Sequence, residues 1–207
     1  MTAKPNSQPP IPLSNTLKIL SWNIHGIKDV SLGQKTNCPE FLSQLTKSHI
    51  FLLQETKGPV EVDNYICYNK CRQDPRSGGL TIGVLSSLQK FVTITDTKRD
   101  DMMAITISRQ FTGTLQDLTI VNIYDSPPDS SYKKRRAGTS EELDTLYDLQ
   151  QLLLSLKHTQ IIVGGDMNAR VGRLNTTQDI VMTNTTSSGD PSYKQTSHWQ
   201  GKGDFVA

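Results

Sequence analysis

Two acids, two amides and a phenol sit where apolar runs end, and they are the side chains best placed to do chemistry. The run IIVGGDMNAR (161–170) closes in Asp166 and Asn168. FLLQE closes in Glu55, ILSWN in Asn23 and IVNIY in Tyr124. Asp and Asn also favour the turn after a strand, so one such end means little; four of them call for a shared purpose. In layered α/β folds ligands gather where strand ends meet loops, which lets groups distant in sequence converge. Carboxylates with side-chain amides suit a hard, oxygen-preferring cation such as Mg²⁺, with Mn²⁺ as the alternative. The sequence has no His/Cys cluster of the kind that favours zinc. This is an inventory for phosphoryl transfer.

Strands and helices must bring these groups together. LKILSWNI, HIFLLQE, YICYNKC, GGLTIGVL, FVTIT, MMAITIS, DLTIVNIY and QIIVGGDMN read as strands. A helix is expected from Asn37, with Pro39 in its first turn, Glu40 three residues after the cap, and an apolar face of Phe41, Leu42 and Leu45. A polar stretch around Gly113 predicts a hairpin between MMAITIS and DLTIVNIY. Thr139 or Ser140 is expected to cap a second helix, with a stripe of Leu143, Leu146, Leu149/Leu153 and Leu156. Trp22 is expected in the core, and Gly78 and Gly79 in a tight turn. Strands followed by helices, with hairpins between, argue for a layered α/β fold with mixed sheets.

Length and composition set the limits. The chain has 207 residues, a net charge of +2 and 35% hydrophobic content, enough for one substantial domain with tails. Residues 1–16 hold four prolines without periodicity and read as a flexible leader. The domain is expected over 17–172, and 173–207 is polar and expected to be loop-like or disordered. No apolar run approaches the roughly 20 residues needed to cross a bilayer. The N-terminus lacks the apolar centre of a signal peptide, so the expected location is intracellular, nuclear or cytoplasmic, and not secreted. Three cysteines without metal spacing read as reduced thiols, and the glycosylation patterns at Asn175 and Asn184 as chance.

SWNIHGI, LLQET, RSGGLTIGV, VNIYDSPP and VGGDMNARVG occur in the order, and at about the separations, of the endonuclease/exonuclease/phosphatase superfamily. Over 17–172 the chain resembles that superfamily. YDSPPDSSYKKRR, a helix and then GDMNARVG look most like the endonuclease domain of LINE-type (non-LTR) retrotransposon reverse-transcriptase polyproteins. The resemblance implies a deoxyribonuclease-I-like α/β sandwich and Mg²⁺-dependent nicking of DNA, with a covalently linked reverse transcriptase in a full-length parent. Glu55 resembles the principal metal ligand, with Asn23 its neighbour in the metal and phosphate shell. Tyr124 matches the tyrosine facing the scissile phosphate, and Asp166 the aspartate that activates water or serves the leaving oxygen. Asn168 matches the residue that orients Asp166 and donates to the phosphate.

The match has departures. His25 stands where some family members carry an aspartate, and it can hydrogen-bond a metal-bound water or a phosphate. The family's further aspartate and Ser-Asp-His-type motif have no counterpart; Ser197-His198-Trp199 is a poor substitute. The sequence is therefore expected to be a C-terminally truncated form, with an incomplete second sheet and impaired catalysis. Alternative readings are a catalytically silent remnant binding nucleic acid or a partner, and a phosphoesterase acting on another phosphate ester. The basic run Lys133, Lys134, Arg135 and Arg136 is either a solvated loop, a contact for the DNA backbone, or a nuclear-import signal.

Overall fold

A computed structural model describes residues 16–29, 33–72, 78–95, 97, 99–127, 129–136, 145–156, 159–168, 199–200 and 204–205. The leader up to residue 15, Thr139, Ser140, Leu143, the polar stretch 173–198 with Asn175, Asn184, Ser197 and His198, and the side chains of Arg135 and Arg136 lie outside the described residues.

The chain divides into two compact units, 1–169 and 170–207. In the first, all eight apolar runs form strands: β1 (Ile19–Asn23), β4 (Ile50–Gln54), β5 (Tyr65–Lys70), β6 (Leu80–Leu85), β7 (Val92–Thr95), β8 (Met102–Ile107), β9 (Asp117–Tyr124) and β10 (Thr159–Asp166). Two-residue strands β2 (Lys28–Asp29) and β3 (Gly33–Gln34) form a small hairpin after β1. Among the described residues of the second unit, β11 (Trp199–Gln200) pairs antiparallel with β12 (Asp204–Phe205). Part of the predicted loop-like stretch is thus extended and paired.

Two four-stranded sheets follow one plan, in orders β1-β4-β6-β5 and β10-β9-β8-β7. Each has a parallel pair at one edge, β1 with β4 and β10 with β9, and antiparallel pairing beyond it. Parallel neighbours require a crossover. Helix α1 (Pro39–Leu45) lies in the first crossover; α3 (Ser131–Arg136) and α4 (Thr145–Ser155) lie in the second. The predicted hairpin around Gly113 is present as the β8–β9 pair. Its loop holds one helical turn, α2 (Arg109–Thr112), capped by the Ser108 side chain and ended by Gly113 in the left-handed conformation.

Strand alternation sorts the core into layers. Ile50, Leu52, Leu80, Ile82 and Val84 face Met103, Ile105, Ile107, Leu118, Ile120 and Tyr124 between the sheets. On the outer face of the first sheet, Phe51 and Leu53 meet Phe41 and Leu45 of α1. On the outer face of the second, Met102, Ala104, Val121 and Ile123 meet Leu149, with Leu152 and Leu153 alongside. The result is helix, sheet, sheet, helix.

Three local expectations are corrected. Helix α1 starts after Cys38, not Asn37, which closes a 3-10 turn; no side chain caps it, and Pro39 occupies its first turn. In α4 the expected Leu149 and Leu153 cover the sheet with Leu152, but Leu146 turns away from it and is 52% exposed. Trp22 is 37% exposed and leans on Phe41, because among the described residues β1 is the edge strand of its sheet. The thiols of Cys38, Cys67 and Cys71 are free. No helix among the described residues is long and apolar enough to cross a membrane.

Candidate active site

The four strands of the two parallel pairs end together. Asn23 is the last residue of β1 and Glu55 follows β4, while Tyr124 and Asp166 end β9 and β10 and are register partners. Asn23 joins the sheets: its amide nitrogen donates to Glu55 Oε1 at 2.9 Å and to Asp166 Oδ2 at 2.7 Å. The Tyr124 phenol donates to the same Glu55 oxygen at 2.9 Å. The backbone N–H of His25 donates to Asn23 Oδ1 at 3.0 Å, which fixes the orientation of the amide.

The backbone is bent to achieve this. Glu55 (φ 53°), His25 (φ 51°), Lys57 (φ 52°) and Asn168 (φ 44°) all adopt the left-handed conformation. That region is uncommon for residues with a Cβ, and such residues cluster at sites where the surroundings over-determine them. The loop carrying Glu55 is held by Thr56 N–H to Gly79 O at 3.2 Å and Lys57 N–H to Gly78 O at 2.9 Å. The paired glycines of β10 have separate reasons. A Cβ on Gly164 would meet Leu52 Cδ1 of the facing sheet at 2.7 Å. Gly165, at φ 146°, lies so close to β9 that a Cβ would meet Ile123 O at 1.9 Å.

Asn168 orients Asp166 through its main chain and not through its side chain. Its backbone N–H donates to Asp166 Oδ1 at 2.9 Å, but its side-chain amide donates to Asp125 O at 2.7 Å. The backbone N–H of Asp125 returns a bond to Asp166 O at 2.9 Å. The loops after β9 and β10 are therefore stitched together, and both Asp166 oxygens are oriented.

Burial alone would raise the Glu55 carboxyl. The hydrogen bonds from Asn23 and Tyr124, with the nearby His25, outweigh it and hold the group below its usual range. Burial, the adjacent Glu55 charge and the hydrogen bond to it push the Tyr124 phenol far above its ordinary value, with Arg72 acting the other way. Near neutral pH the pair is a carboxylate with a neutral phenol. The other Glu55 oxygen, Oε2, has looser company: His25 Nδ1 at 3.4 Å and Lys57 Nζ at 3.6 Å.

Four site residues had escaped the sequence reading. Lys57 follows Glu55 by two positions, and Asp125 follows Tyr124 directly, so adjacency alone could have found both. Arg72 and Asp101 carried no signal. They form a buried ion pair; Arg72 also donates to Ser126 Oγ at 3.0 Å and lies over the rings of Tyr132 (3.7 Å) and Tyr124 (5.3 Å). The basic run is not a loop: Lys133 and Lys134 lie in α3. Lys133 pairs with Asp125 at 2.7 Å, whereas the exposed Lys134 lies 3.7 Å from Asp129.

A family model described as Endonuclease/Exonuclease/phosphatase family matches residues 20–201. No curated protein matches the sequence. Among solved structures, the catalytic domain of APE2 from Xenopus laevis superposes with a TM-score of 0.52 at 20% identity. That match covers 74% of this chain and 59% of the other, so the chain spans well under two thirds of that domain. The endonuclease domain of TRAS1, a telomere-specific non-LTR retrotransposon, gives 0.48 at 15% identity, over 75% and 60% of the two chains. The human Nocturnin catalytic domain gives 0.44 at 16% identity, over 74% and 64%.

Proposed function

The chain belongs to the endonuclease/exonuclease/phosphatase family, and on that premise we propose that its site hydrolyses phosphodiesters with Mg²⁺, nicking DNA for a retrotransposon reverse transcriptase. The observation that carries this reading is the single amide of Asn23 shared by Glu55 and Asp166, with the Tyr124 phenol on Glu55.

The donor set fits a hard divalent cation. Glu55 and Asp166 offer carboxylate oxygens, and Asn23 lies between them. Among the described residues no three His, Cys, Asp or Glu side chains assemble a closed cage. A cation here would draw its remaining ligands from water and from substrate oxygens, as Mg²⁺ does. When bound, it would neutralise charge on the phosphate.

The chain's own groups divide the rest of the work. Asp166, fixed by Asn23 and by the Asn168 N–H, is oriented to take a proton from an attacking water. Tyr124 keeps its proton, which it gives to Glu55 in a hydrogen bond here, and can turn that one O–H to a phosphoryl oxygen as negative charge develops there. Lys57 and His25, loosely held on Glu55 Oε2, can turn to a phosphate. Lys134, on a basic helix that reaches the site through Lys133 and Asp125, suits a backbone contact. The LINE-like string from Tyr124 to Arg136 supports DNA, and the retrotransposon context, over other phosphate esters.

Substrate class can be tested with bis(p-nitrophenyl) phosphate, p-nitrophenyl phosphate and supercoiled plasmid, each in Mg²⁺. The expected pattern is cleavage of the diester and the plasmid, with the monoester left intact. Cleavage of the monoester alone would move the site to another phosphate ester.

A further inference from the structure

Beneath the site lie two enclosed amides, Asn122 at 0% and Gln54 at 1% exposure. Asn122 interrupts an apolar series on the inward face of β9, where Leu118, Ile120 and Tyr124 face the other sheet. A polar residue that breaks a buried pattern marks a place where something other than packing is specified.

The bonds of Asn122 cross from sheet to sheet. Its Nδ2 donates to Leu53 O and Thr81 O, each at 3.0 Å, and these two residues face one another across the β4–β6 ladder. Its Oδ1 accepts from Gln54 Nε2 at 2.7 Å. The same nitrogen lies 3.1 Å from Leu52 O and 3.3 Å from Ser21 Oγ of β1. One amide of the second sheet is thus tied directly to two strands of the first, β4 and β6, and through Gln54 to a third, β1.

Other bonds lie at the margins of the interface between the sheets, among them Asn23 to Asp166, Tyr124 to Glu55, Lys70 to Met102 O and Arg72 to Asp101. Besides these, the described interface is apolar packing, which is non-directional and tolerates sliding. Hydrogen bonds near 3 Å do not. Glu55 follows Gln54 directly, and Tyr124 stands two residues beyond Asn122 on the same face. A slip of one residue moves a strand by about 3.3 Å, more than the 2.9 Å separating the Tyr124 phenol from Glu55.

We propose that Asn122 and Gln54 are positioning residues, an inter-sheet pin that sets the Tyr124 phenol against the Glu55 carboxylate. The pin acts through those two groups and rests on their assignment to the hydrolytic site. Packing holds the sheets together, and the pin selects the one register in which their strand ends cooperate.

The test is spectroscopic and does not require turnover. The chain has six tyrosines; labelling with 3-fluorotyrosine gives ¹⁹F signals among which Tyr124→Phe identifies Tyr124. In the parent protein, Glu55→Gln is expected to shift that signal, because the two side chains share a hydrogen bond. In Asn122→Leu the response to Glu55→Gln is expected to be lost, while the other tyrosines keep their shifts. A full response in folded Asn122→Leu would overturn the proposal and leave the amides a purely structural role. Should Asn122→Leu fail to fold, Gln54→Leu, which keeps both main-chain bonds of Asn122, is expected to show a reduced response. An undiminished response there would equally overturn the pin. Absence of hydrolysis alongside an intact fluorine response would count against the proposed activity and not against the pin.

Discussion

Asn23 and Asp166 are 143 positions apart, yet the amide of one donates to the carboxylate of the other at 2.7 Å. Because the same amide nitrogen holds Glu55 at 2.9 Å, it draws two negative groups from two sheets to one point. Asn23→Leu should leave those carboxylates facing each other without a shared donor. Removing one preorganised hydrogen-bonding group of this kind typically costs on the order of a hundred- to a thousand-fold in rate. Steady-state kinetics on the diester should show the loss in kcat, with a far-ultraviolet circular dichroism spectrum like that of the parent.

Tyr124→Phe isolates the phenol. The ring that packs beside Arg72 is kept, so stability should change little while kcat falls by roughly a hundred-fold or more. A variant with unchanged kcat would remove Tyr124 from the chemistry and leave it as packing.

The pH dependence follows from the directions of the shifts. The Glu55 carboxyl is depressed in the folded state. It therefore contributes stability that is fully present above its unfolded value, about 4.3, and is lost as pH falls through the lower folded value. The Tyr124 phenol is raised, so its proton should survive past its ordinary value near 10. Denaturation from pH 3 to pH 7 should show stability rising with pH, with a smaller rise in Glu55→Gln. An identical profile in that variant would contradict the assignment.

Arg72 and Asp101 are a buried pair, and removing one partner strands the other. Arg72→Met should cost about 3 to 5 kcal/mol, read from urea denaturation. The double variant Arg72→Met with Asp101→Leu should recover part of that loss, because no uncompensated charge remains.

The two lysines of α3 should differ in their dependence on salt. Each phosphate contact contributes about 0.9 to the slope of log affinity against log salt. Lys134→Gln should flatten the slope by about that amount. Lys133→Gln should do so less, because Lys133 already pairs with Asp125. Equal effects would mean that the Lys133–Asp125 pair opens on binding DNA.

Much of this was legible in the sequence because strands announce themselves by composition. All eight apolar runs became strands, and the polar residue after each of four runs lies at the site. What stayed hidden depends on tertiary placement. Whether Trp22 is covered depends on β1 being an edge strand, which no local pattern states. On α4 the expected Leu149 and Leu153 do face the sheet, but Leu146 does not, because leucines recur on several sides of that helix. Arg72 carried no signal in the sequence, since its partner Asp101 lies 29 positions away. The side-chain bond of Asn168 to Asp125 O could not be foreseen, because it depends on how two loops meet.

The most direct test of the central claim is nicking of supercoiled plasmid in Mg²⁺ by the parent protein beside Glu55→Ala and Asp166→Ala. If Asn23, Glu55, Tyr124 and Asp166 form one hydrolytic site, the parent converts plasmid to the open circle, EDTA abolishes the conversion, and neither folded variant supports it. Nicking that persists in folded Glu55→Ala, or a parent protein that is inert in Mg²⁺ and Mn²⁺ alike, would contradict that account.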